Sequence, residues 1–227
     1  MNDNKKPRTL SRRKFLIRSA AVLGAATLTC SGLGFIATRQ PALDLPEPVS
    51  CGDQTEMNAK ILITYATRCG STAEIAQSIA EVFCERGAHV NVLPLGDVKS
   101  IDGYQAVVLG SAISIGAWLP EAVKFVEENQ ARLNRMPTAF FTVHLNNTGD
   151  DEASRAARSA YLDPVRKLVT PAAEAFFAGV GDFSKVNLLE RMMAKFVKSP
   201  VGDFRDWAKI HAWAETVQQT TLVGVQG

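Results

Sequence analysis

Tyr65-Ala66-Thr67-Arg68-Cys69-Gly70-Ser71-Thr72 joins a short apolar run to an amphipathic one, and its reading decides the fold. To its left, Lys60 to Ala66 contains Ile61-Leu62-Ile63, a pattern that suits a strand buried on both faces. To its right, Ser71 to Arg86 places Ile75, Ile79, Val82 and Phe83 on one helical face, and Gly87 supplies a stop. A strand that passes straight into a helix through such residues makes an anion site. The first N–H groups of the helix have no partner of their own and point outward. Gly70 permits close backbone approach, and Thr67, Ser71 and Thr72 add hydroxyl donors. A polar helix cap fits the same residues. The stretch has neither the lysine of a Walker loop nor the spacing of GxGxxG, which counts against ATP and NAD.

Working outward, strands and helices alternate. Ala88 to Leu95 reads as a second strand. Tyr104 to Ala112 reads as a third, with Ala106-Val107-Val108-Leu109 fully apolar. Pro120 to Arg132 is helical, with Pro120-Glu121 forming its first turn. Thr138 to Leu145 is a fourth strand. A polar segment from Asn146 to Lys167 holds a helix, with Asp150-Asp151-Glu152 as its solvated start. Ala173 to Val180 is a fifth strand, and Ser184 to Lys198 and Asp203 to Gln219 are helical. The expected class is α/β, a doubly wound parallel sheet of five strands in the order 2-1-3-4-5. Ligands then bind beyond the carboxyl ends of the strands, at the switch point.

The front of the chain reads as an address. Ser11-Arg12-Arg13-Lys14-Phe15-Leu16 precedes an uncharged run from Ser19 to Thr38, closed by Arg39. This is the layout of an export signal, and the Arg pair resembles the twin-arginine class, read by that export machinery. No clean Ala-x-Ala site precedes Arg39, so an uncleaved anchor also stays open, with the N-terminus cytoplasmic and the domain on the outer face of the cytoplasmic membrane or in the periplasm. Residues 1–39 are thus expected as signal or anchor, 40–58 as an extended linker marked by Pro41, Pro46 and Pro48, and 59–220 as the folded domain. Cys30 is a weak lipidation candidate.

Composition agrees with one cored domain: 46% of residues are hydrophobic and 21% charged. The first 40 residues hold eight bases and one acid, so the remainder carries 17 bases and 22 acids and is mildly acidic. That balance gives no reason to expect nucleic acid as a partner. The four cysteines, Cys30, Cys51, Cys69 and Cys84, form no CxxC pair and no metal spacing. No metal and no disulfide framework are expected. Cys51 falls outside the expected fold, and Cys84 reads as core.

The loop after the first strand resembles the FMN-phosphate loop of flavodoxins, and more specifically that of the flavodoxin-type, menaquinone-dependent protoporphyrinogen oxidases. That family reads Ser-Thr-Arg-Asp-Gly-Gln-Thr; Thr67, Arg68, Gly70 and Thr72 match it, while Ala66, Cys69 and Ser71 differ. Gly110-Ser111-Ala112-Ile113-Ser114-Ile115-Gly116 is similar to its Gly-Ala-Ser-Ile-Arg-Tyr-Gly. Leu133-Asn134-Arg135-Met136-Pro137-Thr138-Ala139-Phe140 matches its Leu-Asn-x-Met-Pro-x-Ala-Phe. Ala178-Gly179 and Asp206-Trp207 have counterparts. Ser114 and Ile115 depart from the family's Arg and Tyr, the place of an aromatic that lies against the flavin; Trp118 is near enough in sequence to replace it. Ser199-Pro200-Val201-Gly202 is shorter than the family's stretch.

The resemblance implies a flavodoxin-like fold, FMN as cofactor and a set of cofactor-binding residues: Thr67, Arg68, Cys69, Gly70, Ser71, Thr72, Ser111, Ala112, Ile113, Ser114, Gly116, Trp118, Thr142, His144 and Leu145. It assigns no general base. Gly116 would let a peptide turn toward the reduced ring. His144 suits either a ring contact and proton shuttle or a histidine satisfied at a strand end. Cys69, at a helix N-terminus where thiols tend to be acidic, suits either a redox role or plain loop filler. The helix around Leu188 to Val197 carries Arg191, Lys195 and Lys198 opposite its apolar residues, which fits a membrane surface or a cover on the sheet. Trp207, Ile210, Ala214 and Val217 share a core spacing. Three functions follow: an FMN oxidoreductase linked to menaquinone, a tethered electron carrier serving a redox partner protein, and a binding module that has lost flavin.

Overall fold

The computed structural model describes residues 43, 45–52 and 59–219. The signal or anchor, residues 1–39, lies outside them. Among the described residues no helix is long and apolar enough to cross a membrane.

Ile61, Leu62 and Ile63 are fully buried in strand β2 (Lys60–Ala66), with successive side chains sent to opposite layers. Ile61 and Ile63 join one apolar cluster, and Leu62 joins the other. Full burial of each such side chain is worth about 1.5–3 kcal/mol. Helix α1 (Ser71–Glu85) follows, and its Ile75, Ile79 and Phe83 fill the first layer. It stops where Gly87 turns left-handed (φ 80°) and the N–H groups of Gly87 and Ala88 donate to Cys84 and Phe83.

The chain then alternates as the pattern requires: β3 (His89–Pro94), β4 (Ala106–Ser114), α2 (Pro120–Leu133), β6 (Thr138–His144), and β7 (Ala173–Ala178), with β5 (Ala117–Trp118) a short hairpin return on β4. Between β6 and β7 lie α3 (Glu152–Ser159), capped by Asp151, and α4 (Asp163–Arg166). β3, β2, β4, β6 and β7 lie side by side in that order and are all parallel, which is the doubly wound arrangement. The last helix, α6 (Trp207–Val217), packs with α1 on one face, while α2 and α4 cover the other. Ile210, Ala214 and Val217 of α6 are buried as their spacing requires; Trp207 is not, and lies partly exposed under the Arg205 guanidinium, 4.6 Å from its ring.

Two expectations are corrected at the sheet edge. Val49–Cys51 is not free linker but strand β1, antiparallel to β3, with Val49 opposite Val92 and Cys51 opposite Val90. Leu45 packs on the core, and Gln77 Nε2 donates to the Glu47 carbonyl. Cys51 is bonded to Cys84, at the end of α1. Pro46 and Pro48 mark an extended segment but give no sign that it is covered and paired. Because β1 runs against the sheet, the chain upstream of Val49 heads toward the carboxyl ends of the parallel strands.

The disulfide closes a span of 33 residues. A loop of that size restricts the unfolded chain by about 2–4 kcal/mol. Cys51→Ser is therefore expected to lower unfolding free energy by about that amount in denaturant titrations, and added reductant should lower the wild type alone.

Candidate functional site

Three crossovers leave the carboxyl ends of β2, β4 and β6 at the point where the winding reverses, and a cavity of about 430 Å³ opens there. That is within the usual size of small-molecule sites. The loop after β2 and the start of α1 supply Thr67, Arg68, Cys69 and Ser71; the end of β4 and its turn supply Ala112, Ile113, Ser114, Ile115 and Gly116; the end of β6 and the loop after it supply Val143, His144, Leu145, Asn146 and Asn147. A wall that the sequence did not foretell comes from the segment after β7. It passes through β8 (Val180–Gly181) and helix α5 (Leu188–Phe196) to β9 (Gly202–Asp203), and puts Phe183, Val186, Glu190, Met193 and Ala194 on the cavity. Tyr161, from the turn after α3, completes it.

The loop after β2 is shaped by Gly70. Its φ is 92°, its N–H donates to Thr67 Oγ1 at 3.0 Å, and its carbonyl accepts from Ala73 and Glu74. A Cβ at Gly70 would meet nothing within 4 Å, so the backbone faces open space. At the start of α1 the donors of Ser71 and Thr72 have no carbonyl a turn earlier to reach. Thr72 Oγ1 is buried without a hydrogen-bond partner. Gly179 presses in from β7's end, where a Cβ would come within 3.1 Å of Ser71 Oγ and 2.6 Å of Val143. Free N–H groups, hydroxyls and a bare backbone fit a phosphate monoester, the end group of FMN.

Arg68 turns away from this cradle. Its guanidinium pairs with Glu121 of α2 at 2.5 Å and, through Nε, with Glu190 of α5 at 3.1 Å. Burial opposes the Arg68 charge, but the two carboxylates outweigh it and raise its pKa; burial likewise opposes ionised Glu121, and Arg68 prevails, holding it below the ordinary carboxylate value. Arg68 therefore ties the phosphate-type loop to α5.

Five of the expected residues stand behind the cavity rather than in its lining. Gly70 and Thr72 contribute as described. Ser111 is fully buried, its hydroxyl donating to the Ala112 carbonyl and accepting from the Leu119 N–H, so it braces the β4–β5 turn. Trp118 is 2% exposed; its indole N–H donates to Thr142 Oγ1 at 2.9 Å and its ring stands edge-on to Phe140. Trp118 is thus core and replaces no aromatic at the cavity, and Thr142, also fully buried, is its partner. At the rim, Ile115 and Gly116 both have positive φ, 52° and 75°. That is the turn a two-residue hairpin requires, with a β-branched residue held in a strained place.

At Cys69 the surroundings oppose an acidic thiol. Burial comes first, then the nearby Asp182 and Glu190 charges, and together they push its thiol up to about 11, so it stays protonated at neutral pH. His144 is 5% exposed, between Tyr161 and Phe176. Its Nδ1 lies 2.8 Å from the Asn146 carbonyl. A carbonyl only accepts, so Nδ1 carries the hydrogen and Nε2 is left as acceptor. Burial lowers the His144 pKa, against the pull of that hydrogen bond.

Residues 62–207 match the family model described as a flavodoxin domain. Protoporphyrinogen IX dehydrogenase [quinone] of Escherichia coli K12 is 26% identical over 174 residues, covering 71% of this chain and 96% of that protein. The protein of the same name from Leishmania major is 26% identical over 172 residues, covering 68% and 73%. The solved rubredoxin oxygen:oxidoreductase of Desulfovibrio gigas aligns with a TM-score of 0.49 at 14% identity, covering 75% of this chain and 38% of that one.

Gly70→Ala would put a side chain in the cradle and a non-glycine residue at φ 92°, a conformation that costs about 1–2 kcal/mol. FMN affinity, read by quenching of flavin fluorescence, is expected to fall by about tenfold or more, with circular dichroism unchanged. For His144, the folded chain resists a proton that the unfolded chain takes up near pH 6.5. Its contribution to stability is complete above that value and is lost as pH falls through the lower folded pKa. The melting temperature should drop more between about pH 7 and pH 5 in the wild type than in His144→Gln.

Proposed function

Because the chain belongs to the flavodoxin-domain family, whose cofactor is FMN, we propose that it is an FMN-dependent, quinone-linked oxidoreductase acting on a flat organic substrate, as protoporphyrinogen IX dehydrogenases do. The observation that carries this reading is the wall built after β7. Phe183, Val186, Met193 and Ala194 line the cavity on a segment that Glu190 joins to the loop after β2, and Tyr161 and His144 line it too. A carrier that only passes electrons to a partner protein needs the edge of its flavin uncovered. A chamber with apolar walls and a few polar groups suits a bound substrate.

When bound, FMN supplies the two-electron acceptor. The chain's own residues hold, orient and exclude water. Thr67, Gly70, Ser71 and Thr72 would hold the phosphate with N–H and hydroxyl donors. Ile113 to Gly116 and Val143 to Leu145 would flank the ring. Neutral His144 offers Nε2 as a proton acceptor beside the substrate space. Asn147 Nδ2 donates to the Tyr161 hydroxyl at 2.7 Å, and Asn146 Nδ2 to Ser199 Oγ at 3.1 Å, which fixes the polar side of the chamber. The Cys51–Cys84 disulfide supports the reading of an exported domain, since such bonds persist in oxidising compartments.

The visible spectrum of the purified full chain with added FMN comes first. A bound, structured flavin band is expected, and a colourless protein would favour a module without flavin. Oxidised protein should then convert protoporphyrinogen to the fluorescent porphyrin, and chemically reduced protein should be reoxidised by menaquinone without oxygen, each faster than free FMN. Exchange with a carrier protein but with neither small molecule would favour the tethered carrier.

A further inference from the structure

Helix α5 is apolar on two sides. Met193 and Ala194, with Val197 just beyond, turn to the cavity. Leu188, Leu189, Met192 and Phe196 turn outward; Met192 is 62% and Phe196 83% exposed. At a hundred degrees per residue, these four lie within about 100° of one another, a continuous outward stripe. No described element covers them. Lys195 borders the stripe and Lys198 follows the helix, both exposed, and neither has an acidic partner among the described residues. Arg191, further round, hydrogen-bonds the carbonyls of Phe183 and Ser184. Ile115, 79% exposed at the cavity rim, adds to the apolar surface at this end.

The chain outside the structure gives this face an occupant. β1 sends its upstream chain toward the carboxyl ends of the strands, where α5 also lies. The disulfide at Cys51 fixes that exit. From Leu43 back to Thr38, where the uncharged run Ser19–Thr38 ends, there are five residue steps, at most about 18 Å of extended chain. If that run stays in a bilayer, the cavity end of the domain is held against it. A second copy fits less well, because a two-fold contact would bring together two copies of the same lysine-bordered patch with no described acidic residue between them. Apolar residues bordered by lysines suit acyl chains beneath anionic headgroups.

We propose that α5 docks by its outer face on an anionic membrane surface, so that the cavity faces the bilayer. Met192 and Phe196 enter the headgroup–acyl boundary while Lys195 and Lys198 meet the phosphates. Arg68 transmits the position of α5 to the loop after β2 through Glu190. The docking needs no flavin and no particular substrate, so it stands or falls apart from the proposed redox role.

The test is amide hydrogen exchange of Leu188–Phe196 in the full chain, incorporated into phosphatidylcholine vesicles with and without phosphatidylglycerol. Exchange across α5 should slow by about fivefold or more with phosphatidylglycerol and less without it. Met192→Glu/Phe196→Glu should abolish the slowing while leaving β2 and β4 protected. Lys195→Gln/Lys198→Gln, two exposed positions with no packing role, should remove the difference between the lipids alone. Equal exchange in wild type and both variants, failure of the chain to enter vesicles, or slowing that depends on protein concentration without lipid would each overturn the proposal; the last would point to a second copy.

Discussion

Helix α1 begins with donors that no described residue satisfies, and the surrounding architecture leaves them so. The Ser71 and Thr72 N–H groups and the Thr72 hydroxyl lie just past the carboxyl end of a buried strand, beside Gly70 in its left-handed turn. An orphaned donor of this kind is costly when buried. It is tolerated because Ile61, Leu62 and Ile63 on one side, and Ile75, Ile79 and Phe83 on the other, bury enough apolar surface to fix the junction. The open cradle is therefore a product of the core beneath it. The flavodoxin-domain match covers this strand, turn and helix together.

Around that junction the structure adds braces of different kinds. Trp118, Thr142 and Ser111 form a buried hydrogen-bonded support under the β4–β5 turn. Arg68 crosses from the loop after β2 to Glu121 and Glu190 and so couples the first helix of the domain to α5. The Cys51–Cys84 bond closes the outer edge of the sheet, where β1 covers the exposed side of β3. Arg68 and Glu190 stand on the cavity itself, the Trp118, Thr142 and Ser111 support stands behind its lining, and the disulfide lies at the sheet edge. That is why several residues that resemble flavin contacts by position prove to be supports.

The alternation of buried strands and amphipathic helices was legible because it rests on local periodicity. The bounds of β2, α1, α2 and β6 depart from the sequence reading by a residue or so at most. Those elements are dictated by runs such as Ile61-Leu62-Ile63 and by stops such as Gly87. Trp118 misled because nearness in sequence says nothing of which way a side chain turns; the short β4–β5 return sends it inward to Phe140 and Thr142. At Cys69 the helix-terminus rule alone points to an acidic thiol, but it supposes access to solvent, and burial beside the Asp182 and Glu190 charges raises the pKa instead. The wall of Phe183, Met193 and Ala194 left a sequence trace, the amphipathic run after Lys185, but a single helix gives no sign that it is apolar on both sides.

Sequence alone determined what each segment can do within its own length: the strand–glycine–helix junction with its hydroxyls, the order of the five parallel strands through the handedness of their crossovers, and the basic, then uncharged, front end. Tertiary structure decided everything that depends on segments far apart in the chain. The pairing of Cys51 with Cys84, of Val49 with Val92, of Arg68 with Glu190, and of Trp118 with Thr142 is set by how layers stack. The division has one physical reason. Backbone geometry and the periodicity of burial act over a few residues and are written in order along the chain. Contacts between layers depend on which faces meet once all of them have formed, and no short stretch carries that information.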